Sequence, residues 1–234
     1  MGGTITPVVY QKWRDSTLGS ITERRELDLT LDLAGELGGL RVLDVGCGDG
    51  TYAMAAAERG ALVAGVDIAP EMIRTAEARA VDGGLDIEFR VGSAAALPFD
   101  DGAFDVVVAV TLLCLASDLE AIVAECARVT APGGRVVIGE LGRWNTWAAS
   151  RSLRGWLGSP TWRTARFWTA KRLKTLMTSV GLVVDRVEGA VYYPPVPLAA
   201  RVLAPLDRVP ARYTTIGAAF IAVSAHQPEP RGRP

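Results

Sequence analysis

A short apolar run that breaks into alternating glycines constrains this chain most: Val42-Leu43-Asp44-Val45-Gly46-Cys47-Gly48-Asp49-Gly50. Such a run reads as a buried strand ending in a tight turn, where main chain can approach a ligand with no Cβ in the way. A second apolar run, Ala61-Leu62-Val63-Ala64-Gly65-Val66, ends in Asp67, 23 residues after Asp44. A carboxylate closing the second strand of a βαβ unit suits a ribose, because its oxygens accept hydrogen bonds from both vicinal hydroxyls. The unit is a nucleoside-binding half-fold. Its glycine spacing narrows the nucleoside: a dinucleotide fingerprint needs G-x-G-x-x-G to bring a helix start to a pyrophosphate. Here the spacing is G-x-G-x-G, and the turn holds Asp44 and Asp49 where a phosphate would want a basic residue or a hydroxyl.

This turn resembles motif I of the class I S-adenosylmethionine-dependent methyltransferases, and further stretches follow in the family's order. Val91-Gly92-Ser93-Ala94 stands where the adenine-binding loop follows strand 3, Phe104-Asp105-Val106-Val107-Val108 looks like strand 4, and Ala131-Pro132-Gly133-Gly134-Arg135-Val136-Val137-Ile138 matches the turn into strand 5. The likeness runs from Arg41 to Glu140 and, within the family, is to the type 11, ubiquinone-biosynthesis-like group. It implies an α/β fold: a Rossmann-like seven-stranded sheet, mostly parallel with an antiparallel last strand, and helices on both faces. It also implies S-adenosyl-L-methionine as cofactor. The resemblance assigns Asp44 and Gly46 to the methionine portion, with Cys47 and Gly48 completing the turn. Asp67 goes to the ribose, Ile68 to the adenine face, and Ser93 and Ala94 to the adenine edge. Ser93 replaces a frequent Asp of the family, so adenine selection rests more on main chain here. In open α/β sheets ligands lie beyond the carboxyl ends of the strands, where strand order reverses, which brings Gly46, Asp67, Ser93 and Val110 to one crevice.

The 234 residues, 49% of them hydrophobic, suffice for a two-sided sheet in a single methyltransferase domain over residues 1–225. Its expected parts are an N-terminal cap (1–39), a cofactor-binding core (41–140), a substrate-cap insertion (141–168) and the C-terminal half of the sheet (169–225), followed by a disordered tail (226–234). Ser20-x-x-Glu23 reads as a capping box opening a helix through Glu36, Tyr192 to Pro210 as an extended, proline-stiffened connection, and Tyr213 to Ala225 as the last strand. No apolar stretch approaches the roughly 18 to 20 residues that span a bilayer, and no leader pattern opens the chain, so a cytoplasmic location is expected. The three cysteines, Cys47, Cys114 and Cys126, lack metal-ligand spacing and read as reduced thiols.

Methyl transfer from a sulfonium is an in-line displacement, so a protein mainly aligns the reactants and excludes water, and no metal is called for. Glu140, at the carboxyl end of strand 5, is expected to face the crevice and orient an amine or hydroxyl, which makes it the candidate catalytic residue. The sole histidine, His226, is expected in the tail, outside the site. The stretch Leu113-Cys114-Leu115-Ala116-Ser117-Asp118 lacks the histidines that many family members carry after strand 4, which argues against a histidine-dependent O-methyltransferase. Val110-Thr111-Leu112-Leu113 lacks the Asn/Asp-Pro-Pro-aromatic signature of enzymes acting on adenine or glutamine amides, so no nucleic-acid partner is expected.

Charge is distributed unevenly. From Leu141 to Val184 there is no acid, eight basic residues and five of the six tryptophans. As a cap, this segment would bring Trp144, Trp147 and Arg151, on one helical face, to the acceptor, joined by Tyr10 and Trp13 from the N-terminal segment. As a membrane-surface element, 144–168 would lay tryptophans at the headgroups with arginines on anionic lipid; as neither, it is a flap with snorkelling arginines. The expected function is methylation of a small, aromatic or anionic molecule. The alternatives are a peripheral membrane lipid or quinone methyltransferase and a cofactor-binding protein without transferase activity.

Overall fold

Alternate residues of the central strands serve opposite faces of one sheet. Val42 of β1 (Arg41–Val45) shares a core with Val106, Val108 and Val110 of β4 (Phe104–Val110), while Leu43 and Val45 pack with Val107 and Ala109 on the other side. Side chains two apart share a face, and a strand covered on both sides is apolar almost throughout. The computed structural model describes residues 7–211 and 213–229. With β2 (Leu62–Asp67), β3 (Ile87–Val91), β5 (Thr130–Leu141), β6 (Val183–Ala190) and β7 (Phe220–His226), the strands form one seven-stranded sheet of order β3-β2-β1-β4-β5-β7-β6. All pairs are parallel except those of β7, which runs antiparallel to both β5 and β6. Strand order reverses between β1 and β4, which places the crevice above their carboxyl ends.

Helices cover both faces. The Val42 side is packed by α2 (Thr17–Ala34) and α3 (Thr51–Ala57), the Leu43 side by α5 (Leu119–Val129) and α8 (Ala170–Ser179). Before α2 lies α1 (Pro7–Arg14), and α4 (Pro70–Asp82) links β2 to β3. Helix α2 starts earlier than its sequence pattern predicts: Ser16 is the N-cap, its Oγ accepting from the Gly19 N–H at 3.0 Å, and Ser20 and Glu23 lie inside the helix. It ends at Ala34, where Gly35 at φ +82° returns its N–H to the Leu31 carbonyl at 3.0 Å.

Two excursions depart from the core. Between β5 and α8 come α6 (Thr146–Trp156) and α7 (Pro160–Thr164); Asn145 caps α6, accepting from the Ala148 N–H at 2.8 Å and donating to the Gly142 and Ala218 carbonyls at 2.7 and 2.8 Å. Between β6 and β7, the expected extended connection is instead helical, holding α9 (Pro197–Leu203), a 3-10 turn and α10 (Arg208–Ala211). A proline's fixed φ suits a first helical turn as well as extended chain, and Pro197 opens α9. The last strand begins at Phe220 and includes His226, whose Nδ1 lies 2.7 Å from Asp185. Gly133 and Gln227 continue the pairing past it, with N–H donors from Gly133 to Gln227 and from Gln227 to Gly134 at 2.8 and 2.9 Å. His226 is therefore a strand residue and not the start of a tail, while residues 230–234 of the expected tail lie outside the described residues. No helix among the described residues is long and apolar enough to cross a membrane.

Candidate active site

The glycine turn after β1 is held from below and left open above. The Val66 carbonyl accepts from the N–H groups of both Gly46 and Cys47, at 2.7 and 3.0 Å. Gly46 has φ +72°, and a Cβ there would stand 2.8 Å from Leu112 Cδ1. Gly48 also has positive φ, but a Cβ there would meet nothing within 4 Å, so this stretch of main chain faces free space. Asp67 sits opposite: its Oδ2 accepts from the Gly48 N–H and its Oδ1 from the Ala69 N–H, each at 2.9 Å. A carboxylate has about four acceptor positions, so a vicinal diol still finds two. Ile68, beside it, leaves 74% of its surface exposed on the rim, where a flat ring can cover it. The end of β3 is tied to Asp67 by the Gly92 N–H, 3.0 Å from the Asp67 carbonyl. Ser93 is exposed there, its Oγ accepting from the Ala95 N–H at 3.2 Å, with Ala94 half-buried next to it.

Asp44 lies deeper, 3% exposed, and its Oδ2 accepts from the Ala53 N–H at 3.0 Å in the first turn of α3. Burial pushes its pKa up to about 7; the Ala53 hydrogen bond opposes this, and the charges of Asp67 and Asp49 add to it. The three thiols are buried and free, and burial pushes each well above its ordinary range. Among the described residues no cluster of three or more His, Cys, Asp or Glu could hold a metal ion.

Glu140 corrects the expectation that it faces the crevice. It has no exposed surface, and its two oxygens accept from the Leu113 and Cys114 N–H groups at 2.6 and 3.1 Å. It braces the loop after β4. In that loop Thr111 adopts φ +50°, a costly conformation for a β-branched residue, and the bend that follows Val110 lays Leu112 against Gly46. Burial raises the Glu140 pKa to about 8, against the pull of these N–H donors.

Helix α1 packs against α2 and α4 and is latched to the end of the glycine turn. Arg14 reaches down to ion-pair with the buried Asp49 and donates to Thr51 Oγ1 at 2.7 Å, while Arg79 pairs with Asp49 from α4 at 2.9 Å. Behind this latch, side chains from five helices converge. The Tyr10 hydroxyl donates to Glu23 Oε1 at 3.2 Å. Trp13 meets Trp147 edge-on, with centroids 5.9 Å apart, and Trp147 Nε1 donates to the Tyr193 carbonyl at 2.7 Å. Arg151 lies between the Trp147 and Trp162 rings, 5.1 and 4.9 Å from their centroids. Glu26 has its pKa pushed up to about 7 by burial, with Arg151 acting against the shift and Glu23 adding to it. Burial pushes the Tyr52 hydroxyl of α3 above its ordinary range, and the charges of Glu26, Glu23 and Asp44 add to the shift. Four of the five residues expected at the acceptor, Tyr10, Trp13, Trp147 and Arg151, thus meet, whereas Trp144 precedes the N-cap of α6, is 62% exposed and stacks under Arg143 outside. Tyr193, by contrast, is a core residue whose hydroxyl lies 3.2 Å from Thr22 Oγ1.

Glu23, Glu26 and Tyr52 were not singled out as site residues from sequence. The signal for Glu26 is its spacing: it lies four residues from each of Thr22 and Thr30, both almost wholly buried, so α2 turns a polar stripe inward.

Comparison with known proteins gives the same outline. Residues 43–138 match the family described as "Methyltransferase domain". The chain is 32% identical over 165 residues to a ubiquinone biosynthesis O-methyltransferase of Xanthomonas euvesicatoria pv. vesicatoria, covering 68% of this chain and 69% of that protein. It is 33% identical over 162 residues to the protein of the same description in Idiomarina loihiensis, covering 67% of each. Among solved structures, a SAM-dependent methyltransferase of Thermotoga maritima, described as a possible histamine N-methyltransferase, superposes with a TM-score of 0.70 at 20% identity, over 93% of this chain and 94% of that one.

Proposed function

The chain belongs to the class I S-adenosylmethionine-dependent methyltransferases, type 11 group, and on that premise we propose that it methylates a small aromatic acceptor bearing an O–H or N–H. The observation that carries this reading is the partly buried aromatic and charged group formed by Trp13 edge-on to Trp147, Arg151 stacked on Trp147, and Glu26, whose carboxyl feels the Arg151 charge. When bound, S-adenosylmethionine supplies a methyl group on positively charged sulfur, open to attack by a lone pair. Asp67 would take the ribose hydroxyls, Ile68 the adenine face, Ser93 and Ala94 the adenine edge, and Asp44 with the Gly46–Gly48 main chain the amino-acid end. The donor set fits that ligand: two free acceptor positions on Asp67, open space above Gly48 and an exposed apolar Ile68.

On the acceptor side, Glu26 would accept the proton that an O–H or N–H acceptor gives up on being methylated. A base helps most when its pKa lies near working pH, and burial brings Glu26 to about 7. Arg151, pinned between two indoles, holds a positive charge near that carboxyl, and Trp13 and Trp147 exclude water. Glu140 acts through the loop it braces and is a positioning residue. Incubating the protein with methyl-labelled S-adenosylmethionine and fractionated cell extract, then identifying the labelled product by mass, tests the reading. Label confined to non-aromatic products would remove it. A cytoplasmic location belongs to the same reading, supported by the three free buried thiols.

A second reading, a peripheral enzyme acting on a lipid or quinone, is favoured by exposed apolar side chains on both excursions: Leu153, Trp156 and Leu157 on one, Leu198 and Val202 on the other. The two relatives described as ubiquinone biosynthesis O-methyltransferases support it. Co-sedimentation with liposomes that depends on Trp156 separates it from the first.

A further inference from the structure

Helix α6 has a second functional face. Trp147 meets Trp13 of α1 and Arg151 stacks on Trp147, whereas Ser152 and Ala148, at the same four-residue spacing but one position round, line a pocket of about 620 Å³ on the outside. Its walls are Trp144 and Phe167, and Arg143, Arg166 and Arg172 all border it. None of these arginines has a carboxylate partner among the described residues. Three like charges around one concavity repel one another, and no acid occurs between Leu141 and Val184 to relieve them.

The arrangement is held by main chain. The Trp168 N–H donates to the Leu141 carbonyl at 2.7 Å and the Arg143 N–H to the Trp168 carbonyl at 2.9 Å, so the segments carrying Arg143 and Arg166–Arg172 are stitched side by side. The Arg166 N–H donates to the Cys114 carbonyl at 2.9 Å and its guanidinium donates to the Ala116 carbonyl. Arg143 and Arg172 each lie 5.0 Å from an indole centroid, Trp144 and Trp168 respectively. Stacking fixes the plane of a guanidinium and leaves its N–H edge to donate.

We propose that this pocket binds a phosphate-bearing group, at a site separated from the methyl-transfer crevice by α6. Planar guanidinium forks from different directions match an oxyanion with several acceptor oxygens, and the Trp144 and Phe167 rings accommodate an organic remainder. The phosphate belongs either to a soluble ester or to a lipid headgroup, and Leu153, Trp156 and Leu157 lie exposed on the same excursion.

The test compares the wild type, the pair R143Q/R172Q, and a control pair R154Q/R163Q that removes two exposed arginines of the same segment outside the pocket. Calorimetry with inorganic pyrophosphate and sedimentation with phosphatidylglycerol against phosphatidylcholine vesicles are the two arms. The expected result is a loss of roughly tenfold or more in R143Q/R172Q with little change in the control pair, and S-adenosylhomocysteine affinity and melting temperature preserved throughout. Loss in the pyrophosphate arm identifies a soluble phosphate ligand; loss in the vesicle arm alone identifies a headgroup. Equal losses in both variant pairs reduce the effect to diffuse basic charge and overturn the proposal, as does wild-type protein that binds neither probe.

Discussion

The roles proposed for Asp67 and Glu26 each yield a measurement. Asp67→Ala removes the anchor of the Gly48 and Ala69 N–H groups and, on the proposed reading, the acceptor of the ribose hydroxyls. S-adenosylhomocysteine affinity should fall by about 1.5 to 3 kcal/mol, roughly 10- to 150-fold; wild-type affinity by calorimetry in a folded variant would remove the assignment. For Glu26 the expected signature is a kcat/KM that rises with pH through about 7, as the carboxyl loses its proton and becomes able to accept one. Glu26→Gln should abolish that acidic limb together with most of the turnover, whereas Glu140→Gln should lower turnover and keep the limb. An unchanged limb in Glu26→Gln assigns the proton transfer elsewhere. Of these two proposed site residues, the sequence alone points only to Asp67. A ribose acid ends a strand and follows a glycine turn at a set distance, whereas Glu26 is defined by what surrounds it in space. Glu140 misled for the complementary reason: strand-end position says which edge a residue reaches, and not whether the next loop folds down on it.

At the scale of elements, the parallel strands and the helices packed between them follow their apolar periodicity closely, because each is a local pattern read against one large sheet. The excursions do not. Residues 197–211 are helical although proline-rich, and α2 starts at Thr17 because the Ser16 hydroxyl, one turn before Ser20, already accepts from the free Gly19 N–H. Helix α1 is short, and its last turn is fastened by the Arg14 guanidinium on Asp49 and Thr51. Arg14→Met should release it at a cost of about 1 to 3 kcal/mol, with Arg79 still neutralising Asp49. Faster amide exchange confined to residues 7–14, with quicker dissociation of S-adenosylhomocysteine, is the expected result. Unaltered exchange there would show that α1 is held by Trp13 against Trp147 instead. The strand assignment of His226 makes a similar point: cutting after Ala225 removes a paired residue and the Gln227 contacts, so the melting temperature should fall, and an unchanged melting temperature would show that this pairing adds nothing to stability.

Over the whole molecule, Asp44, Glu26 and Glu140 all hold their protons more tightly in the fold than in the unfolded chain, with pKa values near 7, 7 and 8 against 3.8, 4.5 and 4.5. Between those limits the native state binds more protons, so stability falls as pH rises from about 5 to 8. Asp105 and Glu125, whose arginine partners hold them below their ordinary values, act only at lower pH. The ligand-free melting temperature should therefore drop by several degrees from pH 5.5 to 8, and Glu140→Gln should flatten that slope; a flat or rising profile in the wild type would contradict the burial of these groups. Helix α6 has a wider consequence. Trp147 and Arg151 leave one side of it and Ser152 the other, so if both proposed ligands bind, its position is a quantity they hold in common. Thermodynamic reciprocity then applies: if an anion on the outer side shifts α6 and alters the affinity for the acceptor by some factor, the acceptor alters the affinity for the anion by the same factor. The helix would work as a balance beam between them.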